Sequence, residues 1–541
     1  MAHGGAGLIT RLRWRARRWF WNRFAVFKYD HNRPGTVPVP VSDRPLALVS
    51  LASQYRHIPI RRVLVADRVP ADERQTVKRL FSRLQAVLYR IVPPQQRGLP
   101  PVDADARAAL SAAYTSAHRQ RFPAPLRPAE LAWGPAWGPQ RPDPDEGDPG
   151  APQAVQRGQT VPDPEGPDLR VLAVASPFAC YVTRAGDGTF TWDLRVLEAF
   201  EHQPGLRPLG AVVSFEKGAG NGGLAAVRID SDAGSCTPSD PEWPLASRLA
   251  MSAASTHLSI VRHFGWIHLA AGGPLAVVTR NELPPDHPLR RLLWPHVYAT
   301  QYSNDLITED QLVPGGDFEG MFSLTHRGVC ALIDASIDGF DLGTIDPDID
   351  ALSRGLGDLA TPSIDNRRRH HAVFLAHARR YLERYYDDDG ITADEAVRAW
   401  EAELARRVSG IGRVTASTVG VESVARLAAA IMQLAALEHE ILGSGMWDYQ
   451  LWTDAVPARV PTDGTRPPLD VYQRLVNANF NLNVHRTALL SDFSDLALNA
   501  AGAEAFRAFR ADLLALQAEF DASPSEPWRM EPKRLKANIN A

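Results

Sequence analysis

Two histidines, His263 and His268, stand five residues apart in an apolar segment that reads as a buried helix. In a regular α-helix of about 3.6 residues per turn, a five-residue step swings the second side chain well away from the first. A local π-type widening would bring the two imidazoles nearly into line, and such bulges tend to occur at functional sites. The pair by itself leaves two readings open. Each histidine is satisfied in the core by one hydrogen bond, or the two share a metal ion, since neutral imidazole is the commonest metal ligand and suits iron, zinc and copper. The surrounding stretch from Thr256 to His296 holds five of the chain's 16 histidines. Its helix is predicted to run from about Trp243 to Ala271, with Gly272, Gly273 and Pro274 as stop signals.

With 541 residues, 45% of them hydrophobic, the chain can bury one large helical core or several ordinary ones. No run of about eighteen uninterrupted apolar residues is present, so no transmembrane helix is expected. A net charge of -3 argues against attraction of the whole protein to nucleic acid, and none is expected as a partner. Cys180, Cys236 and Cys330 are too few and too scattered for a disulfide framework or a zinc knuckle. A reducing, cytoplasmic compartment is the simplest expectation.

Residues 1–28 mix Arg11, Arg13, Arg15, Arg17, Arg18 and Arg23 with Trp14, Trp19, Phe20, Trp21, Phe24 and Phe27. Arginine interrupts the apolar run too often for a secretory signal. This basic aromatic segment either lies in the headgroup region of an anionic membrane, making the protein peripheral to it, or packs its aromatics on the body. Residues 72–92 carry apolar positions at helical spacing. Residues 134–168 are crowded with Pro, Gly and Asp and are expected to form a surface loop. Four short strands are predicted from VLAVASPFACYV, TFTWDL, LGAVVSF and LAAVRI, between residues 171 and 229.

Further on, residues 365–408 read as helical. His370, His371 and His377 sit there among five arginines, most simply as a solvated face. Val421 to Gly443 is apolar almost all round, which implies a helix deep in a large core, with His439 near its end.

Taken in order, these features resemble the catalytic domain of the lipoxygenase family in its bacterial form. The central match is His263-x4-His268 on one long helix, followed by His287-Pro288-Leu289-Arg290-Arg291-Leu292-Leu293-Trp294-Pro295-His296. Looser echoes are Tyr29 to Val41, Leu206 to Ala211, and Tyr381 to Asp387 with Asp394 and Trp400. The resemblance covers roughly residues 29–541. It implies a mainly α fold, a large helical domain around a long central helix with a small antiparallel β-sheet. Because the lead-in begins so near residue 1, the amino-terminal β-sandwich of plant and animal members is expected to be absent.

The resemblance also implies a ligand set: His263, His268, His439 and the terminal carboxylate of Ala541 around a non-haem iron, with manganese as the alternative metal. The family's fourth side-chain position falls on Gly443, which offers no donor, and water is expected in its place. Gly315 is the candidate for the small residue that steers oxygen, although a Pro-Gly turn accounts for it better. The implied reaction joins dioxygen to the 1,4-diene of a polyunsaturated fatty acid or similar lipid, giving a hydroperoxide. Alternatives are an iron enzyme with a changed outcome, such as hydroperoxide rearrangement or oxidation of a specialised metabolite, and an inactive lipid-binding relative.

Overall fold

The computed structural model describes residues 37–41, 44–74, 169–218, 223–359, 361–416, 418–447, 449–451, 456–464, 487–523 and 530–539. Residues 1–28, the 134–168 segment, most of the helix expected over 72–92, and Ala541 lie outside the described residues. So does the question of an amino-terminal β-sandwich.

At the centre runs helix α1 (Trp243–His257), which passes without a break into a π-helical segment (Leu258–Gly272) and then into α2 (Gly273–Glu282). The expected stop at Gly272, Gly273 and Pro274 is therefore corrected. The Gly273 N–H donates to the His268 carbonyl in the five-residue pattern, and a fresh α-ladder begins there. Pro274 falls in the first turn of that ladder, where its fixed φ is already helical and its missing N–H is best tolerated. The π segment is buried along most of its length, from Leu258 and Ile260 to Leu269 and Ala271.

His287 caps α3 (Pro288–Val297): its Nδ1 accepts from the Leu289 N–H at 3.2 Å, and Pro288 takes the first position. A left-handed Ala299, φ 66°, then turns the chain into α4 (Thr300–Asp310). That conformation is unfavourable for a residue with a β-carbon by about 1–2 kcal/mol. It starts the helix that brings Asn304 back against the π segment.

A second long helix crosses the first. It consists of α5 (Gly420–Gln433), another π segment (Leu434–Glu438) and α6 (His439–Trp447). The span Gly420–Gly443 is long and apolar enough to cross a membrane, yet 78% of its apolar window is buried inside the protein, as a core helix requires. Before it in the chain lies the helix Pro362–Leu382, and near the carboxyl end the helix Ala500–Ala522 packs on that one.

His370 and His377, expected on a solvated face, are instead 0% and 1% exposed. His377 stacks on Phe509 with ring centroids 4.1 Å apart, and His370 stacks on Phe520. The neighbouring Arg367 is buried too, donating to Glu438 at 2.7 Å and to Asp350 at 2.6 Å. The arginine count misled because paired guanidinium groups and neutral imidazoles are both tolerated inside.

The sheet is a five-stranded antiparallel meander, β3 (Thr183–Arg184), β4 (Phe190–Asp193), β5 (Ala211–Lys217), β6 (Leu224–Ser231) and β7 (Gly234–Cys236). Ahead of it β1 (Leu48–Ser50) and β2 (Leu64–Ala66) pair as a separate antiparallel ribbon. Three of the predicted strands are present. The first, over 171–182, is corrected to a short helix and a 3-10 turn, because Ser176 caps the Phe178 N–H and Pro177 opens a helical turn.

Candidate metal centre

The π segment presents His263 and His268 on one side of the central helix, and His439 opens α6 directly after the second π segment. Both helices that carry the imidazoles are thus widened where they do so. Ring centroids lie 4.9 Å apart for His263 and His268, 4.9 Å for His263 and His439, and 5.0 Å for His268 and His439. One nitrogen from each ring falls within 4.8 Å of the other two, and among the described residues this is the one such grouping of His, Cys, Asp or Glu. All three side chains are buried, at 4%, 0% and 0% exposure.

The contacts behind the rings fix which nitrogen faces the centre. Asn304 Nδ2 donates to the His268 carbonyl at 2.8 Å, and a carbonyl can only accept. The amide oxygen must then be the atom 3.0 Å from His268 Nδ1, so Nδ1 carries the proton. On His439, Nδ1 stands 3.3 Å from a carboxylate oxygen of Glu440, again an acceptor. Both Nε2 atoms therefore present lone pairs, and they face each other across 3.1 Å. Two such lone pairs repel unless a cation lies between them.

Donors about 2.1 Å from one ion and at right angles to each other stand about 3 Å apart. The donor set therefore fits a divalent transition metal, and three neutral imidazoles with no thiolate suit iron, copper or zinc better than magnesium or calcium.

Other residues singled out from the sequence fall elsewhere. His287 and His296 are structural. His287 caps α3 and lies 3.1 Å from the Tyr386 hydroxyl and 3.3 Å from an Asp394 carboxylate oxygen. The Nδ1 of His296 donates to the Ala537 carbonyl at 2.6 Å, and burial holds that imidazole down to about 4, hence neutral. Gly443 lies buried on α6, one turn after His439. Gly315 is corrected as the oxygen-steering candidate. It is exposed, at φ 70° in a turn, with its N–H donating to Glu319, which suits a Pro-Gly turn and not a position beside a buried substrate.

The described residues near the carboxyl end, 535–539, are tied in. Leu535, Ala537, Asn538 and Ile539 are at most 2% exposed. The Leu489 and Ala537 N–H groups bond to Leu535 and Thr487 carbonyls at 2.9 and 2.8 Å, and Asn538 donates to the Tyr298 carbonyl. Sequence reading missed Asn304 and Glu440. The residue that follows His439 could have been noticed, but nothing local marks Asn304, which acts across 36 residues.

No family model matches the chain. Over 241 residues it is 24% identical to the mouse (Mus musculus) polyunsaturated fatty acid lipoxygenase ALOX8, covering 43% of this chain and 35% of that protein. Over 262 residues it is 25% identical to the human (Homo sapiens) hydroperoxide isomerase ALOXE3, covering 46% and 36%. The match thus spans about a third of the length of these curated relatives. The crystal structure of coral 8R-lipoxygenase superimposes with a TM-score of 0.64 at 13% identity, over 91% of this chain and 78% of that one. An anaerobic structure of a LOX deletion variant in complex with arachidonate gives 0.64 at 14% identity, over 99% and 83%. The long helix with its paired histidines, the crossing helix with the third and the superposition of nearly the whole chain agree: this is a divergent lipoxygenase-like protein with the lipoxygenase fold.

Proposed function

We propose that the chain is a non-haem iron dioxygenase that adds dioxygen to the 1,4-diene of a polyunsaturated fatty acid to give a hydroperoxide. The observation that carries this reading is the meeting of three buried imidazoles, two of them with lone pairs 3.1 Å apart. His263, His268 and His439 hold the iron, which when bound supplies one-electron redox chemistry. A donor set rich in nitrogen gives no reason to prefer manganese.

The protein's own part is to hold and to exclude. Asn304 and Glu440 orient two of the rings. Phe264, whose ring centroid stands 6.0 Å from that of His268, and the burial of all three imidazoles keep bulk water from the centre. The carboxylate of Ala541 is the fourth protein ligand in this proposal. Support comes from the buried course of the chain up to Ile539, two residues short of it. An arachidonate complex of a protein with this fold, and a relative named as a polyunsaturated fatty acid lipoxygenase, support the substrate class.

A second reading rests on Gly443 and on the hydroperoxide isomerase among the relatives. With no side chain at that position to complete the ligand set, the same centre would rearrange a hydroperoxide formed elsewhere. The deciding experiment measures iron per chain, then oxygen uptake with linoleate or arachidonate, with product identification. About one iron per chain, oxygen consumption and a conjugated hydroperoxide support the first reading. Iron with no oxygen uptake, but turnover of an added hydroperoxide, supports the second. Alanine at His263, His268 or His439 should abolish iron loading while helicity persists; iron retained by these variants would sink both.

A further inference from the structure

We infer that Glu440 is a positioning residue that holds His439 and, through it, makes that imidazole the stronger donor of the facing pair. The inference rests on the iron-centre reading above.

Three neutral imidazoles bring no charge to a bound cation, which leaves the Ala541 carboxylate as the one anion among the proposed protein ligands, and Gly443, one turn beyond His439 on the same helix, brings no donor. The Glu440 carboxylate stands 3.3 Å from His439 Nδ1, with side-chain exposures of 6% and 0%. A buried carboxylate is costly unless it is paired or hydrogen-bonded. Accepting a hydrogen bond from a ligand imidazole orients the ring, fixes its tautomer and raises the basicity of its other nitrogen. On His268 the corresponding partner is the Asn304 amide, which grips the ring at 3.0 Å and the backbone carbonyl of the same residue at 2.8 Å. It orients without adding charge. The two imidazoles that face each other across 3.1 Å are therefore unequal: one is backed by a neutral dipole, the other by an anion.

A negative charge behind one ligand favours the more highly charged state of the ion it holds. Glu440 thus stabilises ferric over ferrous iron in this chain, a task for which the glycine at 443 offers nothing.

The test compares the full-length iron-loaded protein with Glu440→Gln, Glu440→Asp and Asn304→Ala. Iron affinity is read by chelator competition in each oxidation state, and the ferric/ferrous midpoint potential by redox titration. Thermal unfolding without metal checks the fold. Outer partners of ligand histidines are typically worth about 10–100-fold in metal affinity. Glu440→Gln is expected to lose ferric affinity by about that factor with a much smaller ferrous loss, and so to raise the midpoint potential. Glu440→Asp, which keeps the charge, should restore most of it. Asn304→Ala should weaken both states alike. If the parent binds one iron and Glu440→Gln leaves both the potential and the ferric affinity unchanged, the role assigned to Glu440 is wrong and the metal centre stands. A parent chain that takes up no iron removes the metal centre itself.

Discussion

Ile539 packs against the bare backbone of Gly272: a β-carbon on that glycine would stand 3.0 Å from Ile539 Cδ1. It would also stand 2.7 Å from the Ile267 carbonyl and 3.3 Å from Thr300 Cγ2. Gly272 is the last residue of the π segment, one turn beyond His268. The carboxyl-terminal strand of chain and the ligand-bearing helix are therefore fitted to each other at a position that tolerates only hydrogen.

Gly272→Ala is expected to destabilise the protein by about 1–3 kcal/mol, the usual cost of overpacking a filled core. Urea unfolding monitored by circular dichroism measures it. In combination with Ile539→Ala the loss should be smaller than the sum of the two single losses, because one of the three clashes is relieved. Strict additivity would show that the tail does not press on Gly272 in solution.

His296→Phe removes the N–H that donates to the Ala537 carbonyl and leaves a buried acceptor unsatisfied. The expected cost is about 1–3 kcal/mol. Hydrogen exchange should quicken over residues 535–539 while the central helix keeps its protection. Equal loosening of both would place the role of His296 elsewhere.

A peptide tag fused after Ala541 replaces the terminal carboxylate by an amide. If that carboxylate is an iron ligand, the tagged protein should lose most of its iron while its unfolding transition without metal stays where it was. Full iron content in the tagged protein would restrict the protein ligands to the imidazoles.

Arg367 bridges Asp350 and Glu438, the residue just before His439. Arg367→Met takes the guanidinium from the buried Glu438, which keeps the Gln433 amide, while Asp350 keeps Arg354; breaking a buried pair by removing one partner costs about 3–5 kcal/mol. The unfolding midpoint in urea should fall accordingly, and Glu438→Gln in the same chain should recover part of it. A loss below about 1 kcal/mol, as exposed pairs show, would mean that water reaches this network.

Acid should destabilise the fold between about pH 6.5 and pH 4. Burial holds His296 and His370 down to about 4 and His257 down to about 3, against an ordinary value of 6.5. Groups lowered in this way contribute stability that is present above 6.5 and is lost as the pH falls through their folded values. Glu73 works the other way. Burial, against the opposing pull of Arg280, pushes it up to about 7 from 4.5, so its contribution is present below 4.5 and fades as the pH rises through 7. Three histidines oppose one acid, so urea midpoints should fall from pH 6.5 to pH 4; a rise would overturn the assignment of these imidazoles as neutral.

The histidine spacing and the apolar run were legible because each is a local fact. A five-residue step is incompatible with converging rings on a regular α-helix, so the π widening could be anticipated from His263 and His268. The second widening, before His439, leaves no such mark, since a single histidine has no partner on its own helix to set a phase. Likewise Pro274 reads as a terminator only if the ladder before it is α-helical.

What the sequence determined by itself was the character of the long helices and the sheet of short strands, because side-chain periodicity travels with the chain; the three imidazoles were singled out through the resemblance to lipoxygenases. Only the tertiary structure decided that His268 and His439 meet at 3.1 Å, that Asn304 and Glu440 stand behind them, that Gly315 lies outside on a turn, and that His370 and His377 are inside. Those facts depend on how helices far apart in sequence pack, and packing is settled by the whole core at once rather than by any stretch of it.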